Sequence, residues 1–134
     1  MKAQSAIEYF IIISIGLMII IPYLVYSNSL LLGYKDDSNV NAAKNAVNKL
    51  GQNADWVFSQ GEPAKITTEV FIPDGLTAIQ FINNTIIFKV RTSAGISDIF
   101  YTSTANITGL LSIASGYYSI TLSAEDGNVR MSVS

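Results

Sequence analysis

From Tyr9 to Tyr34 the chain carries no charged side chain, and a single acid, Glu8, stands immediately before this run. A helix needs roughly 20 apolar residues to cross a hydrocarbon core, so the run is long enough to span one. The eleven Leu, Ile, Val and Phe side chains between Phe10 and Val25 favour insertion by about 3 to 7 kcal/mol in total. A carboxylate at the bilayer centre would cost about 2.5 to 3.5 kcal/mol and less at the edge, so Glu8 is expected near an interface. The flanks set an orientation. Lys2 and the amino terminus are positive, whereas Lys35-Asp36-Asp37 sums to negative, which places the C-terminal part of the chain outside.

The remainder of the 134 residues suffices for one modest domain with one core. The mean hydropathy of +0.36 is mostly the N-terminal run. Cysteine and histidine are both absent, which excludes disulfides, thiolate and imidazole metal ligands, and Cys or His catalysis. The net charge is −2, with no basic patch to contact nucleic acid. A secretory signal has a shorter apolar core followed by a small-residue cleavage site, and Tyr26-Ser27-Asn28-Ser29 supplies no such site.

Gly16 and Pro22 weaken the helix within the run, and Pro22 leaves the carbonyl of Met18 without its helical donor. From Asp36 to Gln60 the pattern turns amphipathic: Val40, Ala43, Val47, Leu50, Ala54 and Val57 form one stripe. Fewer than three heptads with alanine at alternate positions suit a helix packed on its own domain rather than a coiled coil. Gly33 and the Asp36-Asp37-Ser38-Asn39 cluster predict a bend or break, because Asp, Ser and Asn favour caps over helix interiors. Gly61 and Pro63 stop the helix.

After Pro63 the period changes to two. Strands are expected at Ile66 to Ile72, Thr77 to Ile82, Thr85 to Arg91, Ile96 to Thr102, Asn106 to Ser115, Tyr117 to Ser123 and Val129 to Val133, with turns at Pro73-Asp74-Gly75, Asn83-Asn84, Ser93-Ala94-Gly95 and Glu125 to Asn128. The fold class is therefore α+β: a long hydrophobic helix continuing into an amphipathic one, packed on a C-terminal antiparallel sheet or small sandwich of six or seven strands. Trp56, Phe100, Tyr101, Tyr117 and Tyr118 are expected to fill the core of that sheet and its seam with the helix; the alternative is an adhesive aromatic surface.

The carboxylates form no acid-base pair. Asp36 and Asp37 point to different sides of a helix, and Glu125 and Asp126 belong to a turn. Asp37, Asn39 and Asn41 have the spacing of the start of a calcium loop, but Ala42 stands where that loop needs Gly and no closing Glu follows. No metal or other cofactor is expected. Asn83-Asn84-Thr85 and Asn106-Ile107-Thr108 are sequons, so Asn83 and Asn106 are candidate glycan acceptors on an exported domain.

The octapeptide Lys2-Ala3-Gln4-Ser5-Ala6-Ile7-Glu8-Tyr9, directly before a membrane-length apolar run, resembles the class III signal peptide of archaeal type IV pilins. In that family a prepilin peptidase cuts ahead of the apolar run, often before a glutamine, and the fifth residue of the mature chain is acidic. The resemblance places the cut between Ala3 and Gln4 and makes Glu8 that acid. The leader is shorter than usual, and Ala3 stands where a Gly or basic residue is more common. The implied organisation is a leader at 1-3, a filament-core and amphipathic helix at 4-60, and an extracellular β-domain at 61-134.

The resemblance implies a structural subunit of a surface filament rather than an enzyme. The precursor would sit in the membrane with its N-terminus cytoplasmic, and the mature chain would polymerise with copies of itself for adhesion. Partners would be the peptidase, an assembly ATPase and a membrane platform. Glu8, Gly16 and Pro22 would serve assembly: Glu8 would neutralise the new amine of Gln4 on a neighbouring helix, and Gly16 and Pro22 would let the packed helices adjust. Two alternatives stand beside this reading, an uncleaved single-pass anchor and a minor or accessory pilin.

Overall fold

The computed structural model describes residues 1–134 and shows an α+β fold: one helix, α1 (Lys2–Gln60), followed by seven strands. Two units are distinguished along the chain, Met1–Lys35 and Asp36–Ser134. No side chain of the first unit is buried. Within it, Ser14 and Ser29 turn their hydroxyls back onto the carbonyls of Phe10 (2.8 Å) and Val25 (3.1 Å). Back-bonding of this kind satisfies the hydroxyl without water, which an apolar solvent requires.

The helix continues through Pro22, Gly33 and the 36–39 cluster, so the expected break near Gly33 is absent. One glycine costs a helix only about 1 kcal/mol. One member of the polar cluster is engaged by a distant turn: the Asp36 carboxylate accepts the Ser93 N–H at 2.8 Å. The helix ends as expected. Gly61 takes a φ of +74°, and its N–H donates to the Phe58 carbonyl at 3.2 Å.

The strands are β1 (Lys65–Ile72), β2 (Leu76–Ile82), β3 (Thr85–Thr92), β4 (Gly95–Thr102), β5 (Asn106–Gly109), β6 (Gly116–Glu125) and β7 (Asn128–Val133). They form a four-stranded sheet in the order β1-β6-β7-β5 and a three-stranded sheet in the order β2-β3-β4. Every pairing is antiparallel except β5 with β7, which is parallel. The strand expected to reach Ser115 stops at Gly109. There a Cβ would collide with the Met131 carbonyl, so the two backbones approach closely only because position 109 is glycine. Beyond it, β7 has only Ser132 and Val133 left to pair.

The helical stripe is the floor of the core. Ala43, Val47, Leu50, Ala54 and Val57 are fully buried, joined by Ala46, and Val40 packs at their edge. Against them lie Val70 and Ile72 of β1, Ile86, Phe88 and Val90 of β3, Ile120 and Leu122 of β6, and Val129 and Met131 of β7. The small residues bring helix and sheets close: a Cβ at Gly51 would overlap the ring of Tyr101.

That closeness corrects the expectation for the aromatics. Trp56, Phe100 and Tyr117 are 52%, 67% and 72% exposed, and only Tyr101 and Tyr118 pack against the core. An alanine-rich seam has no room for several rings. Strand alternation then decides the rest, since Tyr118, Ile120 and Leu122 take the inner face and send Tyr117 outward, where it meets Phe71 with ring centroids 5.0 Å apart.

These contacts predict a graded response in denaturant unfolding. Leu50→Ala should cost about 2 to 5 kcal/mol by leaving a cavity. Gly51→Ala should cost about 1 to 3 kcal/mol by forcing Tyr101 aside. Gly33→Ala, with nothing within 4 Å of its Cβ, should be neutral or stabilise by up to about 1 kcal/mol.

Candidate functional site

Ala3, Gln4 and Glu8 occupy the first turns of α1 and are exposed. Gln4 and Glu8 are four residues apart and share a helix face. Glu8 makes no ion pair or hydrogen bond within the chain. Gly16 has nothing within 4 Å of its Cβ position, and Pro22 lies exposed inside the continuous helix. The best 18-residue window of this helix has a mean hydropathy of 2.3 and is 0% buried. Ile7, Phe10, Ile12, Met18, Ile19, Leu24 and Leu31 are all more than half exposed. The chain supplies no cover for them, and water is a poor one: burial of a single such side chain is worth about 1.5 to 3 kcal/mol.

Asn83 and Asn106 are both exposed, and the fold brings them together. Asn83 turns the chain between β2 and β3 with a φ of +52°, and its carbonyl accepts the N–H of Ile107, the residue after Asn106, at 2.8 Å. Thr85 and Thr108 complete the two sequons, the first half-buried and the second exposed.

A cluster that the sequence pattern did not reveal surrounds Asp55. One carboxylate oxygen accepts the Tyr101 hydroxyl at 2.7 Å; the other accepts the Ser103 hydroxyl at 2.5 Å, the Thr104 N–H at 2.9 Å and the Thr104 hydroxyl at 3.1 Å. Partial burial pushes the carboxyl pKa up, but the bonds from Ser103, the Thr104 backbone, Tyr101 and the Thr104 hydroxyl outweigh it and hold Asp55 below the ordinary carboxylate range. The same bond raises the Tyr101 phenol, with burial and the negative charge adding to it.

An acid held ionised in this way is a weak base. Ser103 is only 3% exposed, and its oxygen also accepts the Ala105 N–H at 3.2 Å. The arrangement is a clasp tying α1 to the segment between β4 and β5. Its one legible hint was an acid directly after a buried stripe position, Ala54; the Ser103-Thr104 partners lie too far along the chain for periodicity to find them.

On the other flank of α1, Lys49 donates to the Glu69 carbonyl of β1 at 2.5 Å. The pair borders an open groove of about 410 Å³ lined by Ala42, Asn45, Ala46, Val70, Phe71 and Tyr117. No group of three or more acidic side chains is placed to hold a metal ion. No protein family, curated protein or solved structure matches this chain.

Replacing Asp55 by Ala should cost about 1.5 to 3 kcal/mol near neutral pH, where charged hydrogen bonds are lost. Because the folded-state pKa is depressed, this stabilisation is present above the unfolded value and drains as pH falls below about 4. Unfolding curves of the parent chain and Asp55→Asn should therefore differ near pH 7 and converge in acid.

Proposed function

We propose that the chain is the structural subunit of a type IV pilus-like surface filament, cut by a prepilin peptidase between Ala3 and Gln4 and polymerised through its N-terminal helix. What carries the reading is one uncovered apolar helix with one unpartnered acid placed five residues into the mature chain. The helix is long and apolar enough to cross a membrane, which accommodates it before assembly. Lys2 and the amino terminus stay on the cytoplasmic side, and the β-domain faces out.

Cutting creates a new amine on Gln4. In hydrocarbon an isolated carboxylate is costly, and it becomes tolerable when paired. Glu8 of one copy meets the Gln4 amine of its neighbour, and this pairing sets the axial register of the stack. The side chains that lipid covered are then covered by other copies. Gly16 offers a flat spot for close helix approach, and Pro22 offers a carbonyl free of its helical donor where the backbone can adjust. Assembly draws on a cytoplasmic ATPase and a membrane platform, and the β-domain is displayed for adhesion.

An uncleaved anchor has the same helix but no use for the acid. Glu8→Ala separates the two readings: the variant should insert into the membrane normally, while sheared filaments fall on the order of tenfold or more, equivalent to about 1.4 kcal/mol or greater per subunit addition. Filaments as abundant as those of the parent chain would contradict the proposal.

A further inference from the structure

The two sequons lie well apart in the sequence, in different sheets, yet one end of the β-domain holds both. Three backbone-directed bonds fasten the β2–β3 turn to the β4–β5 connection and the start of β5. The Ile107 N–H donates to the Asn83 carbonyl at 2.8 Å, the Ser103 N–H to the Asn84 carbonyl at 2.7 Å, and the Asn84 amide to the Ser103 carbonyl at 3.0 Å. Of the three asparagines in these segments, Asn84 is the one whose side chain the fold uses, and Asn84 is not an acceptor in either sequon. The side-chain amides of Asn83 and Asn106 are exposed and make no hydrogen bond within the chain.

The turn itself does not require asparagine. Its demand is a positive φ at position 83, which glycine meets with less strain. Position 106 opens a strand, where asparagine is disfavoured. Both residues are thus dispensable to the fold in side-chain chemistry, and each is followed at the required spacing by threonine. Bulk attached at either exposed amide would meet solvent at an end of the domain built of turns and connections, not the buried core.

We infer that Asn83 and Asn106 form a paired N-glycan site, so that two oligosaccharides cover one end of the β-domain. The inference rests on the outward orientation of that domain under the proposed function. The donor is a lipid-linked oligosaccharide, acted on by a membrane oligosaccharyltransferase. The Asn Nδ2 forms a bond to the anomeric carbon as the bond from that carbon to the lipid phosphate oxygen breaks. The electron pair leaves with the phosphate, and one amide proton passes to a carboxylate of the transferase. No oxidant or reductant is needed.

In a filament the hydrated glycans occupy solvent, so this end of each subunit faces away from its neighbours. The exposed Ile96 lies at the other end of β4, opposite Arg91, and stays bare.

Glycopeptide mass spectrometry of the native protein, taken from both sheared filaments and membranes, tests the site. Each of the peptides bearing Asn83 and Asn106 should carry a glycan. Asn106→Gln should lose one glycan mass and Thr108→Ala the same one. Since Gln fits a positive φ poorly, Thr85→Ala provides the matching loss at Asn83 with the turn residue intact. The double variant Thr85→Ala, Thr108→Ala should lose both masses and still reach the filament. Bare asparagines in protein recovered from filaments would overturn the inference and leave the filament reading standing. Bare asparagines in a chain found only in membranes, with its β-domain resistant to protease added outside the cell, would overturn both.

Discussion

One helix in this protein needs two different surroundings. Its second half presents a single buried stripe, Ala43 to Val57, and the two sheets of the same chain cover it completely. Its first half presents apolar side chains on every face, and the chain offers them nothing. Water cannot be the solvent for such a surface without a cost of tens of kcal/mol, at about 1.5 to 3 for each large side chain. Lipid or other copies of the same helix can be. Under the proposed function, that asymmetry is what holds the helix in a membrane and then lets copies of it assemble.

The β-domain is self-sufficient because its helix is narrow where it meets the sheets. Alanines at positions 43, 46 and 54 and the glycine at 51 let the backbone of α1 approach β4 until the Tyr101 ring rests on it. Polar bonds then fix both flanks. Asp55 holds the β4–β5 segment through four donors, and Lys49 holds the β1 backbone at Glu69. Charged hydrogen bonds of this kind are among the stronger ones available to a partly exposed group. Phe100 of β4 and Tyr117 of β6 are displayed on the outer faces of their sheets, and Trp56 on the exposed side of α1.

Much of this was legible from periodicity alone. A stripe at steps of three and four picked out the buried face of α1 apart from Ala46 and Gly51, and Gly61 marked its end. Alternation and turn residues located the seven strands, because Tyr118, Ile120 and Leu122, like Ile86, Phe88 and Val90, can share a face only in an extended chain, but β5 ends at Gly109 rather than Ser115. What periodicity could not supply was distance in space. It did not pair Asp55 with Ser103 and Thr104, show that the Asn83 and Asn106 sequons meet, or reveal that an alanine-lined seam excludes the large rings. Of the bend or break expected near Gly33, the break is absent: local propensity favours one there, but the Ser93 N–H that engages Asp36 comes from a remote turn. Glu8 was conspicuous as the one charge before an uncharged run, and the structure adds that no group of its own chain neutralises it.

The central claim is that the acid and the apolar helix form a polymerisation element once the Ala3–Gln4 bond is cut. The most direct measurement is the identity of the first residue of this protein in filaments sheared from the cell surface, read from its N-terminal peptide by mass spectrometry. The account predicts a chain beginning at Gln4, with Glu8 as its fifth residue. A chain that still begins at Met1, or one recovered only from membranes and never from filaments, would contradict it.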